Sequence, residues 1–200
     1  MFLNRIAHYN PPFKYPQQEV GQILREAIGL EEKEGRLCDI MYRKSGIDWR
    51  YSVIGDLDPN YDGERLFFDE SQKLLPTPDT GQRNAVYETY AREGYVACAQ
   101  SIIEANELSA QEITHVITVS CTGFYAPGPE YDIVQQLGMK PDTQRYHLGF
   151  MGCYAAFPAL RMAEAFLATQ PQAKILVICL ELCSIHLQFT DGADELLSGS

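Results

Sequence analysis

The chain has 200 residues, 46% of them hydrophobic and 22% charged, a balance that supports a buried core and excludes the disordered class. Its 27 acidic against 16 basic side chains leave a formal charge of -11, which excludes nucleic acid as a bulk partner, since phosphate binding needs a basic face. A small local basic cluster could still hold a phosphorylated ligand. No apolar run approaches the roughly 20 residues that a membrane helix needs. The opening MFLNRIAHYNPP lacks a basic segment followed by a long apolar one. The expectation is therefore a cytoplasmic protein with no membrane partner.

In chain order, Phe2 to Ala7 reads as a short strand ended by Asn10, Pro11 and Pro12. Val20, Ile23, Leu24 and Ile28 repeat at helical spacing and predict a helix over Gln17 to Ile28. Leu37, Ile40 and Met41 carry a second amphipathic segment up to Ser45-Gly46, and Trp49 to Ile54 is strand-like. Asp56 to Asp79 is rich in Asp, Pro and Gly, which predicts loops with room for one short helix. A long helix follows over about Asn84 to Asn106.

The second half of the chain alternates. His115 to Ser120 is a compact apolar strand, Ile133 to Leu137 a short helix, and Arg145 to Leu148 a further strand. Gly152 and Cys153 open a helix to about Thr169, with Leu160, Ala163, Phe166 and Leu167 on its apolar face. Lys174 to Leu180 (KILVICL) is a near-continuous apolar run, expected of a strand covered on both faces. Alternating strands and helices predict an α/β layered fold. No linker or repeat divides residues 1–200, which read as one domain. That strand has no successor to finish the sheet and the chain stops at LLSGS without a polar tail, so a longer parent protein is expected.

Six cysteines (Cys38, Cys98, Cys121, Cys153, Cys179 and Cys183) are too sparse for a disulfide scaffold and read as free thiols, mostly small buried hydrophobes. Cys153 is set apart by its context, HLGFMGCYAAFPALRMAEAF over His147 to Phe166, which reads as strand, tight glycine turn, cysteine and helix. A thiol at a helix N-terminus feels the positive end of the dipole, which raises the thiolate fraction. Gly152 permits the sharp turn, and Ala155 and Ala156 leave room for a substrate chain. Strand-turn-helix nucleophiles of acyl-transfer enzymes follow the same logic. Pro158, early in the helix, removes a backbone donor and predicts an irregular first turn or a slight kink.

The Gly-Cys-Tyr-Ala run resembles the active-site signature of bacterial type III polyketide synthases, members of the chalcone and stilbene synthase family. Three further segments agree in order. HVITVSCTGFYAPGPEYDIVQQLGM (His115 to Met139) resembles the family's strand and Pro-Gly loop. YRKSGIDWRY (Tyr42 to Tyr51) resembles a motif of initiating members of the thiolase superfamily, and ILVICLELCSIHLQF resembles the cavity-lining strand after the nucleophile helix.

The resemblance implies a thiolase-like fold, with this chain as the first, N-terminal half of a layered αβαβα architecture working as a homodimer. The C-terminal half, which carries the family's catalytic His and Asn, is absent from residues 1–200. It further implies Cys153 as the nucleophile, acyl-CoA and malonyl-CoA as substrates, and no tightly bound cofactor. Cys121 falls where relatives often carry a cavity-facing Thr, and Ala126 where plant members place a Met that reaches the partner's cavity. Cys183 and His186 match cavity-lining positions often held by Thr; the His is a departure. Arg43 and Lys44 are candidates for the coenzyme A phosphates, although a solvated basic pair accounts for them as well. The cluster Asp191, Asp194 and Glu195 reads as a charged surface loop. The spacing Cys179-x3-Cys183-x2-His186 suggests zinc only weakly, because strand alternation would separate the side chains and no second ligand pair exists, so no metal is expected.

Two other functions compete. An initiating ketoacyl-carrier-protein synthase shares the fold, but Ala-Cys-x-Gly-Phe is its usual nucleophile motif. A non-catalytic truncated or assembly fragment is the other, and in either case residues 1–200 alone are expected to be inactive.

Overall fold

The computed structural model describes residues 2–69 and 78–188. Two compact units emerge. One contains the described residues up to Tyr9 together with Asn84–Glu181, the other Asn10–Arg83 with the described residues from Leu182. The charged cluster read at Asp191, Asp194 and Glu195, and the chain end, lie outside the described residues. No helix among the described residues is long and apolar enough to cross a membrane.

The smaller arrangement is a hairpin-like pair and two helices. Strand β1 (Phe13–Pro16) pairs antiparallel with β2 (Trp49–Ser52), and helices α1 (Gln17–Ile28) and α2 (Glu32–Lys44) lie between them in sequence. Helix α1 ends where expected because Gly29, at φ 64°, adopts the left-handed conformation and returns its N–H to Glu26. Val20 and Leu24 of α1 pack with Cys38 and Tyr42 of α2 and with Tyr15. The buried face of α2 is thus Gly35, Cys38 and Tyr42, whereas Leu37 and Ile40, read as its apolar face, are exposed. Close approach of the helices decides this: a Cβ at Gly21 would lie 2.6 Å from the Tyr42 ring. Burial pushes the Tyr42 hydroxyl up to about 12.

Beyond β2 the described residues 53–69 form no helix. The buried Asp56 carboxylate accepts the backbone N–H groups of Leu66 and Phe68 at 3.0 Å, and Arg65 donates to the carbonyls of Asp58 and Tyr61. Side chains do the work of regular hydrogen bonding here. The strand expected over Phe2 to Ala7 is not formed either; Phe2, Leu3 and Ile6 are exposed and residues 2–10 have no strand partner.

The larger unit is a parallel sheet. Helix α3 (Thr80–Ala105) precedes β3 (His115–Ser120), α4 (Pro129–Gln136), β4 (Gln144–Gly149), α5 (Ala156–Thr169) and β5 (Ile175–Cys179). The strand order is β4-β3-β5, all parallel, with Ser120 opposite Gly149 and Val119 opposite Cys179. Every residue of β3 is buried, as the central position requires. The strand expected to be covered on both faces, β5, alternates instead, with Leu176 and Ile178 buried and Cys179 exposed. Ala155, Ala159 and Ala163 form the sheet-facing stripe of the α5 segment against Ile117 and Val119. Leu160, expected in that stripe, is exposed. Small side chains let the helix lie close to the sheet.

Candidate active site

Parallel strands deliver their C-terminal ends to one edge of a sheet, where open α/β folds place their ligands. At that edge β3 runs into Cys121-Thr122-Gly123, β4 into Phe150-Met151-Gly152-Cys153, and β5 into Leu180-Glu181. The topology therefore brings Cys121 and Cys153 to neighbouring strand ends.

The turn after β4 is strained. Phe150 has φ 59° and Gly152 φ 62°, so two left-handed residues bracket Met151. For a residue with a side chain this conformation costs about 1–2 kcal/mol, and Phe150 is moreover 81% exposed. Cys153 then sits in a 3-10 turn, Gly152–Ala155, that feeds directly into α5. The helix thus opens with the irregular first turn that Pro158 predicted. With Ala155 as the N-cap, Pro158 falls in the first turn of α5, where a missing N–H costs least. Cys153 is exposed, as are Tyr154 and Phe157 beside it.

Burial acts on three of the other thiols, while Cys121 and Cys183 are exposed. Burial pushes Cys98 up to about 11 and raises Cys38, while Cys179 is raised first by burial and then by the nearby Glu181 carboxylate. Those three are held toward the protonated, unreactive form.

The turn after β3 is clamped rather than strained. Glu181 accepts the backbone N–H of Cys121 at 2.9 Å, that of Thr122 at 3.1 Å and the Thr122 hydroxyl at 2.7 Å; the Ser120 hydroxyl adds a fourth contact at 3.2 Å. Sequence reading missed Glu181. The only signal was an acidic residue directly after an apolar strand. His147 was also passed over; its Nδ1 lies 2.9 Å from the Thr118 hydroxyl, and burial lowers its pKa against the opposing pull of Glu130 and Glu181.

Ala126 is exposed on the loop before α4, in a cis peptide bond to Pro127. Cys183 and His186 belong to the other unit, in a 3-10 turn over Cys183–His186. The alternation argument against a shared face therefore fails, since i and i+3 eclipse in such a turn; both residues are exposed there. No group of three metal-ligating side chains gathers among the described residues. Arg43 and Lys44 are exposed in the last turn of α2, where cations complement the helix dipole. Arg43 also lines a groove of about 590 Å³ with Arg25, Asp39 and Tyr42.

Residues 70–197 match the family described as chalcone and stilbene synthases, N-terminal domain. The chain belongs to that family. It is 32% identical over 157 residues to an alpha-pyrone synthesis polyketide synthase-like protein of Mycobacterium tuberculosis, covering 78% of this chain and 38% of that protein. A 1,3,6,8-tetrahydroxynaphthalene synthase of Streptomyces griseus is 32% identical over 128 residues, covering 64% and 34%. Among solved structures, PKS-I from the brown alga Ectocarpus siliculosus superposes with a TM-score of 0.83 at 28% identity, over 94% of this chain and 49% of that one. The chain thus spans well under half the length of these curated relatives and about half of that solved chain. The α/β fold is that of the thiolase-like type III polyketide synthases, and these relatives do not favour the ketoacyl-carrier-protein synthase or non-catalytic readings.

Proposed function

We propose that residues 1–200 form the N-terminal, nucleophile-bearing domain of a type III polyketide synthase, with Cys153 accepting the acyl group. The observation that carries this reading is the exposed Cys153 in a strained turn at the C-terminal edge of a parallel sheet, within a family-matched segment. The Cys153 thiolate would attack an acyl-CoA thioester, forming the acyl-enzyme and releasing coenzyme A as thiolate. Malonyl-CoA would then lose carbon dioxide, and the resulting enolate carbon would attack the acyl carbonyl, expelling Cys153 and giving a chain two carbons longer. Cys121 and Ala126 are proposed to line the substrate cavity, Cys183 and His186 are proposed as further substrate-binding residues, and Arg43 and Lys44 are proposed to meet the coenzyme A phosphates.

Phe124, Phe150, Tyr154, Phe157 and Leu160 leave much apolar surface exposed in the Cys153 unit. Such exposure supports further protein packing there: the family's C-terminal half and a second copy, with Phe124 to Glu130 near the two-fold axis. Alone, the chain should be alkylated without turning over, for want of the general base and oxyanion donors, one of which is typically worth about 10²–10³ in rate. The test is iodoacetamide mapping at neutral pH, followed by acyl-CoA and malonyl-CoA in the complete enzyme. First labelling of Cys153 and release of polyketide are expected; preferential labelling of Cys121 or Cys183 overturns the assignment.

A further inference from the structure

Helix α3 presents Asn84, Tyr87 and Arg92 to the segment that follows β3, and Glu88 pairs with Arg92 one turn away. Three contacts fasten that segment. The Asn84 side-chain amide donates to the Phe124 carbonyl and accepts the Phe124 N–H, both at 2.9 Å. Tyr87 lies so close to Gly123 that a Cβ there would approach its ring to 2.1 Å. Arg92 pairs with Asp132 at 2.7 Å, and Tyr125 donates its hydroxyl to the same carboxylate at 2.9 Å. Phe124, held in this way, sets its ring 5.6 Å from that of Phe150, three residues before Cys153. Both rings are exposed and apolar.

We propose that Asn84 is a positioning residue that fixes Phe124 against Phe150 and so sets an apolar wall beside the Cys153 turn, selecting for apolar acyl groups. A primary amide suits this place because one group supplies both the donor and the acceptor that a single residue's backbone requires. The inference rests on the assignment of Cys153 as the reactive thiol.

The experiment compares the wild-type chain with Asn84→Ala and Asn84→Asp; the aspartate keeps the acceptor for the Phe124 N–H and loses the donor. Two readouts are taken on each. Amide hydrogen exchange reports the Phe124 N–H, and mapped alkylation reports the rate at Cys153 with iodoacetamide against an N-alkyl iodoacetamide bearing an eight-carbon chain. In Asn84→Ala the Phe124 amide should exchange at least about five-fold faster, as loss of one ordinary hydrogen bond allows, with β3 protection unchanged. The apolar-to-polar rate ratio at Cys153 should fall by a similar factor. Asn84→Asp should retain most of the amide protection and part of the ratio. An unchanged Phe124 amide or an unchanged ratio in Asn84→Ala overturns the proposal. If Cys153 is not the first thiol labelled in the wild-type chain, it is the functional assignment that fails, and the exchange result still judges the Asn84 clamp.

Discussion

The turn after β3 and the turn after β4 leave adjacent strands at the same sheet edge, yet they hold their shape by different means. Glu181, Asn84 and Tyr87 grip the first through hydrogen bonds and close packing from elements distant in sequence. The second is shaped locally, by left-handed Phe150 and Gly152, and leaves Cys153 exposed. A clamped turn suits the wall of a site, where side chains must keep their places. A sharp turn with few restraints suits a nucleophile that must be approached and acylated.

The largest effect should come from the nucleophile itself. Cys153→Ala should abolish the alkyl adduct on this peptide and lower turnover of the complete enzyme by on the order of 10⁴–10⁶-fold, the range seen when one member of a catalytic unit is removed. Cys121→Ser, at the neighbouring strand end, should leave the Cys153 adduct within about two-fold, because Glu181 holds position 121 through its backbone N–H. Peptide mapping by mass spectrometry reads both. Comparable losses in the two variants would erase the distinction between wall and nucleophile.

Glycine substitutions sharpen the comparison. Gly123→Ala should destabilise by about 1–3 kcal/mol through overpacking, since its Cβ would meet the Tyr87 ring at 2.1 Å. Adding Tyr87→Leu should recover part of that loss. Gly152→Ala meets nothing within 4 Å but must hold φ near 62°, which costs about 1–2 kcal/mol. A smaller neighbour cannot relieve it. Denaturant titration of the single and double variants measures both effects.

Removing the carboxylate clamp comes next. Glu181→Ala removes the carboxylate that accepts the Cys121 and Thr122 N–H groups, leaving that of Thr122 to its longer 3.4 Å bond with the Ser120 hydroxyl, and should cost about 1–2 kcal/mol, whereas Glu181→Gln keeps an acceptor and should lose less. Hydrogen exchange at Cys121 and Thr122 should rise in the alanine variant. No change there would mean that the turn holds without Glu181.

These contrasts also mark what the sequence could reveal. Periodicity located α1 and β3, because Val20 and Leu24, or six consecutive buried positions, answer to local rules. The glycine turn at Cys153 was legible for the same reason: Gly152 and Pro158 are local signals of a sharp turn and an irregular helix start. Glu181 was not legible, since its partners lie about 60 residues earlier and only the β3-β5 pairing brings them together. Leu37 and Ile40 misled because hydrophobicity does not reveal which face a neighbouring helix covers; the fit of Gly21 to Tyr42 settles that. The strand read at Phe2 to Ala7 has a strand composition without a partner strand among the described residues.

The smallest effect expected is a pH slope set at the opposite end of the clamped strand, by His115. Its side chain is fully buried and stacks on Phe166 at 4.8 Å. The Thr114 hydroxyl lies 2.8 Å from His115 Nδ1 and 3.1 Å from the Lys174 carbonyl. His115 Nε2 is buried without a hydrogen-bond partner among the described residues. Protonation would place a second N–H in an apolar site, and burial accordingly lowers the His115 pKa below its usual 6.5. The unfolded chain therefore binds a proton near pH 6.5 that the folded chain refuses. Stability from this group is complete above that pH and is lost as pH falls toward the depressed folded value. Thermal midpoints by circular dichroism at pH 7.5, 6.5 and 5.5 should decline, in a window above most carboxylate titrations. His115→Phe keeps an aromatic ring to stack on Phe166 and removes the titrating nitrogens, so it should flatten part of the slope and leave the share of His147, which burial also lowers. A slope unchanged in His115→Phe would show that the folded protein accommodates the proton on His115, and that the core end of β3 is wetter than its burial implies.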